Sequence, residues 1–558
     1  MKITARMFQV RLVASLFSLV FVTGFASGVF AGERYLVVMK DSQSFKAVHT
    51  SIMKKGKYNF KHFDLKTDLG GSLGVVNATV ENSLEKLNTL VVQGEDSDIA
   101  KLAKMANVAI VEKEVFHPAP KPMRGYINMK MKTAGASTFS PPVGTPYGIT
   151  MVKAPLAWEA AHKGSGARVL VLDTGMDTEH PSLKANFEKG KDFTGKSDGT
   201  DITDTVGHGT HVSGTIAGVL DPSGFSGVAP EAKILMGRVC LAEGCSNVAI
   251  AEGINWGVQE KVDVISMSLG GMWSTPAEKA AIVSAESAGV SIVAATGNDG
   301  SARVSFPAAL PTVIAVGAVD DKSKKADFSQ YGKELAVMAP GVAVVSTVPM
   351  GSGREIEVSV VTEGLESKLK SASVQGGKDL EHSQVTDIVV AGLGKPEDFA
   401  ALNVQGKYVL VSRGEIAFGQ KAKNALAAKA AGILFYNNEP GLIHAALTQD
   451  GTTMPIAAAM IEQSNGEQLK ALINDGKVVQ ASIVTVKTDF SAFDGTSMAT
   501  PHVAGVVALI KAANKNLKPA EVKALLQKTA QALGPNTNNE YGAGLVNAEA
   551  AVNAALGR

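Results

Sequence analysis

The chain has 558 residues, of which 45% are hydrophobic and 19% charged, and its formal net charge is +1. This length and composition indicate a globular protein of several domains. The balanced charge gives no electrostatic reason to expect nucleic acid or an anionic membrane surface as a partner.

The N-terminus has the pattern of a secretory signal peptide. A basic segment precedes an apolar run over residues 12–25, and small residues lead up to Ala31. We predict a signal peptide over residues 1–31, and therefore a secreted, extracellular protein that first crosses the periplasm if its source has an outer membrane. A membrane anchor is the alternative, but the run is short for a bilayer span and polar residues interrupt it.

The next segment predicts a small α+β domain over residues 32–118. Residues 35–39 and 108–111 have the apolar character of strands, whereas residues 80–90 and 96–105 have helical spacing.

A stretch rich in Pro, Gly and Lys follows over residues 119–145. This composition is typical of an exposed linker, and we predict the maturation cleavage within it.

From residue 167 onward the chain alternates Val- and Ile-rich runs with glycine-marked turns and helical stretches. Strands of this kind are buried on both faces, which predicts a three-layer α/β fold with a mainly parallel sheet over residues 146–350 and 490–558. Between these parts, residues 351–489 contain a second α/β pattern, including the strand-like runs 406–414 and 432–438. We interpret this segment as an inserted domain.

Cys240 and Cys245 are the only two cysteines. In an exported chain we expect them to form a local disulfide. Two free thiols are the alternative, and the C-x4-C spacing without neighbouring ligands makes a poor zinc site.

Three short motifs carry the residue types of nucleophilic catalysis: VLDTG with Asp173, GHGTHVSG with His208, and GTSMATPHVAG with Ser497. A serine hydroxyl needs an imidazole to take its proton, and the imidazole needs a carboxylate to fix its tautomer. Asp173 follows a predicted strand, and His208 and Ser497 each open a predicted helix. Asn298, in the run ATGN, could donate to an oxyanion together with the Ser497 backbone N–H.

Other catalytic classes fit these motifs less well. An aspartic protease requires a second catalytic aspartate, and the chain has no second D-T-G. His208 and His211 could suggest a metal pair, but H-E-x-x-H is absent. Ser497 lacks the G-x-S-x-G elbow of α/β-hydrolases. His180 and His502 are interpreted as structural residues.

The four motifs VLDTG, GHGTHVSG, ATGN and GTSMATPHVAG resemble, in order and type, the signature blocks of the subtilases. This resemblance implies that Asp173 is the orienting acid, His208 the general base, Ser497 the nucleophile and Asn298 the oxyanion donor. It also implies that the domain before the linker is a propeptide, which assists folding, inhibits the enzyme in the same chain and is removed autocatalytically.

The insert resembles a protease-associated domain, chiefly through GKYVLVSRG and the helix and strand that follow it. Its position shortly before Ser497 suggests that it overhangs the substrate cleft.

The resemblance also bears on metal and substrate. No cofactor is required for catalysis. Many subtilases bind structural calcium, but Ser182 stands where a carboxylate ligand is expected, which leaves Asp221, Asp201 or Asp204 as alternative ligands.

A substrate-binding pocket is implied, without an acidic residue and suited to an apolar or aromatic side chain. Its predicted residues are Ser268, Leu269, Gly270, Ala295, Thr296, Gly297 and Ser305.

Together these observations predict a secreted serine endopeptidase that acts on proteins and peptides through an acyl-enzyme and is made as an autoprocessed precursor. One alternative is a non-catalytic peptide-binding protein on the same scaffold. A further alternative is an unrelated serine hydrolase that acts on esters.

Overall fold

The computed structural model describes most of the chain. The described residues are 33–54, 63–64, 75–76, 78–120, 142–382, 385–443, 445–448 and 452–558. The predicted signal peptide and most of the predicted linker lie outside these ranges.

The N-terminal unit is an antiparallel sheet with two helices. Its elements are β1 Glu33–Met39, α1 Ser42–Lys54, β2 Phe63–Asp64, β3 Val75–Val76, β4 Ala78–Leu84, β5 Thr89–Gly94, α2 Asp96–Leu102, β6 Val108–Lys113 and β7 Phe116–His117. Its four-stranded sheet has the order β4-β5-β1-β6. Apolar side chains of the sheet and both helices form its core.

The helix predicted over residues 80–90 is wrong. This stretch is strand β4, a single 3₁₀ turn over Glu85–Leu87 and the start of β5. Asn88 adopts a left-handed conformation with φ of 49°, which asparagine tolerates better than most residues and which reverses the chain between the two strands.

The unit predicted to be catalytic, residues 146–350 and 490–558, is called here the catalytic unit. Its first part begins with two short helices, after which four more helices alternate with the strands of the main sheet. Its elements are α3 Tyr147–Met151, α4 Ala154–Ala157, β8 Arg168–Asp173, α5 Pro181–Lys184, β9 Phe187–Asp192, α6 His208–Ala217, β10 Lys233–Arg238, β11 Cys240–Leu241, β12 Gly244–Ser246, α7 Asn247–Gln259, β13 Val264–Met267, α8 Pro276–Ser287, β14 Ser291–Ala295, β15 Ile314–Val319, β16 Leu335–Pro340 and β17 Val344–Thr347.

The insert follows, and then the chain returns to the catalytic unit. The insert contains β18 Gly353–Thr362, β19 Leu365–Leu369, β20 Ser371–Gln375, β21 Thr386–Val390, α9 Pro396–Phe399, β22 Tyr408–Ser412, α10 Phe418–Ala427, β23 Gly432–Tyr436, β24 Ala445–Ala446, β25 Ala457–Ile461, α11 Gln463–Asn474 and β26 Val479–Thr488. The catalytic unit ends with β27 Phe490–Phe493, α12 Thr496–Ala513, α13 Pro519–Thr529 and α14 Ala548–Ala555.

The main sheet has seven parallel strands in the order β16-β15-β14-β13-β8-β10-β9. Alternate residues of β8 face opposite sides: Val169 and Val171 pack with α6 and α12, whereas Leu170 and Leu172 pack with α7 and α8. This arrangement confirms the predicted three-layer fold, because strands covered on both faces need apolar residues at nearly every position.

The insert is a mixed nine-stranded sheet with a core of its own. Its two ends are adjacent: Thr347 of β17 pairs with Phe490 of β27, and Gly353 of β18 pairs with Thr488 of β26. The insert is therefore joined to the catalytic unit by one antiparallel ladder. No helix within the described residues is long and apolar enough to cross a membrane.

Candidate active site

Asp173 and His208 form a buried hydrogen-bonded pair at the carboxyl end of an interior strand of the main sheet. Asp173 ends β8, and His208 is the first residue of α6. The Nδ1 atom of His208 donates to the Oδ1 atom of Asp173 at 2.8 Å, and both side chains are fully buried. With its proton on Nδ1, the neutral imidazole has an unprotonated Nε2 atom that can accept a proton from a nucleophile.

A second carboxylate, Asp204, holds this pair in position. Its Oδ1 atom accepts from the Thr174 hydroxyl at 2.8 Å, and its Oδ2 atom accepts from the Thr210 hydroxyl at 2.7 Å. Thr174 follows Asp173, whereas Thr210 lies in the first turn of α6. Burial raises the pKa of Asp204, and the hydrogen bonds from Thr210 oppose this rise. Asp204 thus connects the strand that carries the acid to the helix that carries the base.

Ser497 lies in the first turn of α12, but its hydroxyl is not bonded to His208. The Ser497 Oγ atom donates to the Ser268 carbonyl at 3.0 Å, and the Ser268 Oγ atom donates to the Ser497 carbonyl at 2.8 Å. The Nε2 atom of His208 is buried and has no hydrogen-bond partner among the described residues. The expected Ser–His hydrogen bond is therefore replaced here by a reciprocal Ser497–Ser268 pair.

The side chain of Asn298 is oriented by Thr496. Its Oδ1 atom accepts from the Thr496 N–H at 2.9 Å and from the Thr496 hydroxyl at 2.8 Å. Because a backbone N–H can only donate, the atom facing it must be the amide oxygen, which leaves the Nδ2 group as a free donor. The N–H of Ser497 lies in the first turn of α12, where a helix supplies no acceptor of its own. These two donors fit an oxyanion site.

A cavity of about 370 Å³, called here the Ser497 cavity, opens beside these residues. Six of the seven predicted substrate-binding residues line it: Ser268, Leu269, Gly270, Ala295, Gly297 and Ser305. Thr296 is the exception, since it is fully buried and does not line the cavity. Its side chain alternates with those of its two neighbours at the end of β14 and so faces away from the cavity.

Two further residues of the cavity were missed or misjudged from the sequence. Gln330 lines the wall, and its Oε1 atom accepts from the Asp299 N–H at 3.3 Å and from the Ser305 hydroxyl at 3.4 Å. Asp299, an exposed residue whose N–H donates to Gln330, also lines the cavity. No sequence motif marks Gln330, because only the fold brings it next to Ser305.

The end of the N-terminal unit lies in the same cavity. Pro118, Ala119 and Pro120 are lining residues alongside Ser497. Just before them, β7 pairs antiparallel with β12, which places His117 opposite Cys245. The predicted disulfide between Cys240 and Cys245 is present and joins β12 to β11. The chain thus enters the cavity as an added strand on a cross-linked hairpin.

Arg34 links the N-terminal unit to the catalytic unit. Its guanidinium pairs with Glu81 at 2.9 Å and Glu114 at 3.1 Å within its own unit, and with Glu252 of α7 at 2.6 Å. Burial lowers the pKa of Arg34, but the three carboxylates outweigh it and the net shift is upward. Asn82 also donates to Glu252, at 2.6 Å. The interface is therefore anchored by a buried charge network.

Two other histidines near the site are buried and neutral. The Nε2 atom of His211 donates to the carbonyls of Val344 at 2.9 Å and Ser491 at 3.1 Å. The Nδ1 atom of His502 donates to the Met498 carbonyl at 2.9 Å. Burial lowers the pKa of His211 to about 3 and that of His502 to about 4. His211 thus uses its Nε2 atom for backbone carbonyls, and it belongs to no group of three metal-ligating side chains among the described residues.

The residues named as alternative calcium ligands are dispersed. Asp204 is occupied as described above, and Asp201 pairs with Arg238 at 3.3 Å. Asp221 keeps one buried oxygen without a hydrogen-bond partner, as does the Ser182 hydroxyl. The described ranges contain no group of three His, Cys, Asp or Glu side chains that could hold a metal. One free carboxylate oxygen falls short of the six to eight oxygens that calcium takes.

The insert does not line the Ser497 cavity in the part of the chain that the structure describes. It instead encloses a separate cavity of about 660 Å³ against the catalytic unit, between residues such as Arg354 and Lys370 on one side and Tyr147 and Ala492 on the other. The expectation that the insert overhangs the cleft is not met at this cavity.

Comparisons with known proteins agree with this architecture. The profile described as the subtilase family matches residues 164–375 and 452–544, which is more than half of the chain. The PA domain profile matches residues 384–469, within the insert.

Individual relatives align over a single stretch of the chain. The major intracellular serine protease of Bacillus subtilis (strain 168) is 45% identical over 213 residues, 37% of this chain and 67% of that protein. Subtilisin NAT of Bacillus subtilis subsp. natto is 42% identical over 212 residues, which span 55% of its length, and the subtilisin of Bacillus pumilus is 41% identical over 76% of its length.

A solved structure extends the likeness to the fold. The psychrophilic subtilisin-like protease of the Antarctic psychrotroph Pseudoalteromonas sp. AS-11 superposes with a TM-score of 0.58 at 28% identity, covering 73% of this chain and 97% of that chain.

Proposed function

Because this chain belongs to the subtilase family of serine peptidases, we propose that it is a secreted endopeptidase that hydrolyses proteins and peptides with Asp173, His208 and Ser497. The observation that carries the proposal is the buried 2.8 Å bond between Asp173 and His208, whose helix α6 packs against α12, the helix that carries Ser497. It supports a base whose free nitrogen and orientation suit a serine nucleophile. No cofactor is required.

The first half of the reaction acylates the enzyme. The Ser497 Oγ atom attacks the scissile carbonyl while His208 Nε2 takes the hydroxyl proton, and Asp173 stabilises the imidazolium that results. Asn298 Nδ2 and the Ser497 N–H stabilise the oxyanion, where loss of one such donor costs about a hundred- to a thousandfold in turnover. The intermediate then collapses: the C–N bond breaks, His208 gives its proton to the departing amine, and an ester to Ser497 remains.

The second half regenerates the enzyme. A water molecule takes the place of the amine, gives a proton to His208 Nε2 and attacks the ester carbonyl. The C–O bond to Ser497 breaks, the proton returns to the serine oxygen, and the new carboxylic acid leaves. The first half requires Ser497 Oγ to leave the Ser268 carbonyl and donate to His208 Nε2, a change of hydroxyl partner that substrate binding would favour by completing the site.

We also propose that the N-terminal unit is an inhibitory propeptide, cut off by the same active site. Support comes from Pro118 to Pro120, which line the Ser497 cavity where a substrate would bind, and from the buried Arg34–Glu252 anchor. The proposal of export rests on the N-terminal sequence pattern alone. The similar proteins do not support it uniformly, because one of them is by its name intracellular.

The apolar or aromatic preference at the residue before the scissile bond stays a prediction. In the described part of the chain, Asp299 is the one acidic residue that lines the cavity, and it is exposed.

The decisive experiment compares the full precursor with its Ser497→Ala variant. We expect the wild-type protein to shorten itself and to hydrolyse casein, and both activities to vanish in the variant. In subtilisin itself, to which this chain is similar, removal of the serine costs about a millionfold in turnover. Equal behaviour of the two proteins would favour the non-catalytic peptide-binding alternative, with which the unmade Ser497–His208 bond is also compatible. Hydrolysis of esters without hydrolysis of any peptide would instead identify an esterase.

A further inference from the structure

His117 fills a closed pocket whose floor is a buried carboxylate. Its Nε2 atom lies 2.7 Å from the Oε1 atom of Glu278, and each side chain is only 4% exposed. The imidazole lies 4.7 Å from the Trp273 ring, centroid to centroid. We call this the His117 pocket; its other walls are Ile250, Met267, Leu269, Ile282, Phe306 and Pro307, and only about 10 Å³ is left unfilled.

The two carboxylate oxygens of Glu278 have different partners: one caps the helix α8 and the other binds the side chain in the pocket. The Oε2 atom accepts from the Thr275 N–H at 2.8 Å and from the Ser274 hydroxyl at 3.0 Å, as part of the cap of α8. The Oε1 atom bonds His117. Among the described residues, no other basic side chain forms an ion pair with Glu278. Departure of His117 therefore leaves a carboxylate oxygen unpaired among apolar walls, which is costly.

A substrate is expected to follow the path of residues 116–120. An extended peptide can pair with β12 as β7 does, and its next residues then reach the Ser497 cavity as Pro118 to Pro120 do. The side chain in the position of His117 enters the His117 pocket. Gly271 allows this approach, since a Cβ atom there would lie 2.6 Å from the His117 Nδ1 atom.

We propose that Glu278 is a specificity-determining residue, which makes this active site select peptides and proteins with a histidine a few residues upstream of the scissile bond. The inference rests on the proposed peptidase function and names its substrate class. Histidine fits because it combines a flat ring for Trp273 with an N–H donor for Glu278. An aliphatic side chain would fill the volume but leave Glu278 unpaired, and lysine would lack the ring.

The test uses enzyme matured from the full chain and a set of peptides that differ at one position. Histidine is scanned through positions two to six before a fixed cleavage site, against phenylalanine and Nε2-methylhistidine at the same positions. We expect kcat/KM to rise roughly tenfold to a hundredfold for histidine at one position only, and the methyl group to abolish the gain because it removes the donor.

Variants then assign the effect to the carboxylate. Glu278→Gln should bring the histidine-to-phenylalanine ratio close to one, whereas Glu286→Gln, on the same helix but outside the His117 pocket, should retain it. The histidine-to-phenylalanine ratio is measured within one enzyme, so a smaller amount of folded protein lowers both kcat/KM values equally and leaves the ratio unchanged. The methylated peptide tests the same hydrogen bond in the wild-type enzyme. Absence of a histidine preference, or its persistence in Glu278→Gln, would overturn the inference. Failure to cleave every peptide would instead overturn the peptidase function on which it rests.

Discussion

Arg34 Nη2 donates to the Oε2 atom of Glu252 at 2.6 Å, across the interface between the N-terminal and catalytic units. The side chains are 9% and 5% exposed, so the pair is almost completely removed from water. The same guanidinium donates to the Phe193 carbonyl at 3.1 Å. A buried charge that loses its partner is far more costly than an exposed one.

We therefore expect Arg34→Ala to weaken the binding of the N-terminal unit to the catalytic unit. In a Ser497→Ala background, which prevents self-cleavage, the free energy of unfolding in urea should fall by about 3–5 kcal/mol. The control is Lys184→Ala, which breaks an exposed pair with Glu179 and should change it by no more than about 0.5 kcal/mol. Losses of similar size in both variants would show that the buried network does not anchor the interface.

Asp204 should matter for turnover although it is not placed to touch the substrate. Asp204→Asn replaces one accepting carboxylate oxygen with an NH2 group, which cannot accept from Thr174 or Thr210. The lost hydrogen bond would shift these residues and with them the Asp173–His208 pair. We expect kcat to fall by up to about a hundredfold with little change in KM. Asp201→Asn, at a more exposed carboxylate, is the matched control and should leave kcat unchanged. Equal kcat values for the two variants would refute a positioning role.

Buried neutral histidines should make the fold sensitive to acid. The pKa of His502 is about 4 in the folded chain against an ordinary value of 6.5, so only the unfolded chain takes up its proton as the pH falls from 6.5 towards 4. Stability contributed by the neutral ring is present above pH 6.5 and is lost across this window. At about 1.4 kcal/mol per pKa unit, the loss should amount to a few kcal/mol.

Urea unfolding at pH 7 and pH 4.5, again in the Ser497→Ala background, measures this loss. His502→Asn keeps a donor for the Met498 carbonyl but does not titrate, so its stability should depend less on pH. His211, with a pKa of about 3, remains in the variant and contributes to the remaining dependence of the unfolding free energy on pH. An unchanged pH dependence in His502→Asn would contradict the prediction.

The Cys240–Cys245 disulfide should support substrate binding. It cross-links the two strands of the hairpin whose β12 pairs with the chain that enters the Ser497 cavity. Replacing both cysteines with serine should raise KM severalfold for peptides long enough to pair with β12, with kcat nearly unchanged. The loss of stability should be roughly 2 kcal/mol, because the closed loop is short. A tripeptide ester, too short to reach β12, is the control substrate and should show no change in KM.

Much of the site was predictable because its residues follow local rules. Asp173 ends an apolar strand and His208 opens a helix, as their motifs predicted, and the pairing of their side chains follows from the chemistry of an acid and a base. The sheet was predictable because strands buried on both faces leave a continuous apolar signal.

What the sequence did not predict depends on contacts between distant segments. The partner of Ser497 is the Ser268 carbonyl, 229 positions away in the sequence, and the partner of His117 is Glu278. Neither pair has a local signature. Residues 80–90 were misjudged for a different reason: apolar side chains at that spacing suit a helix, and the left-handed turn at Asn88 decides against it.

The ladder that joins the insert to the catalytic unit also bears on how such a chain could arise. β17 and β27 pair up to Thr347 and Phe490, and β18 and β26 resume the pairing at Gly353 and Thr488. The insert thus extends from the tip of one hairpin, and closing that tip with a short turn would leave every strand of the main sheet connected as before. A single recombination event at one hairpin could add or remove the whole domain during evolution without rebuilding the ancestral enzyme around it.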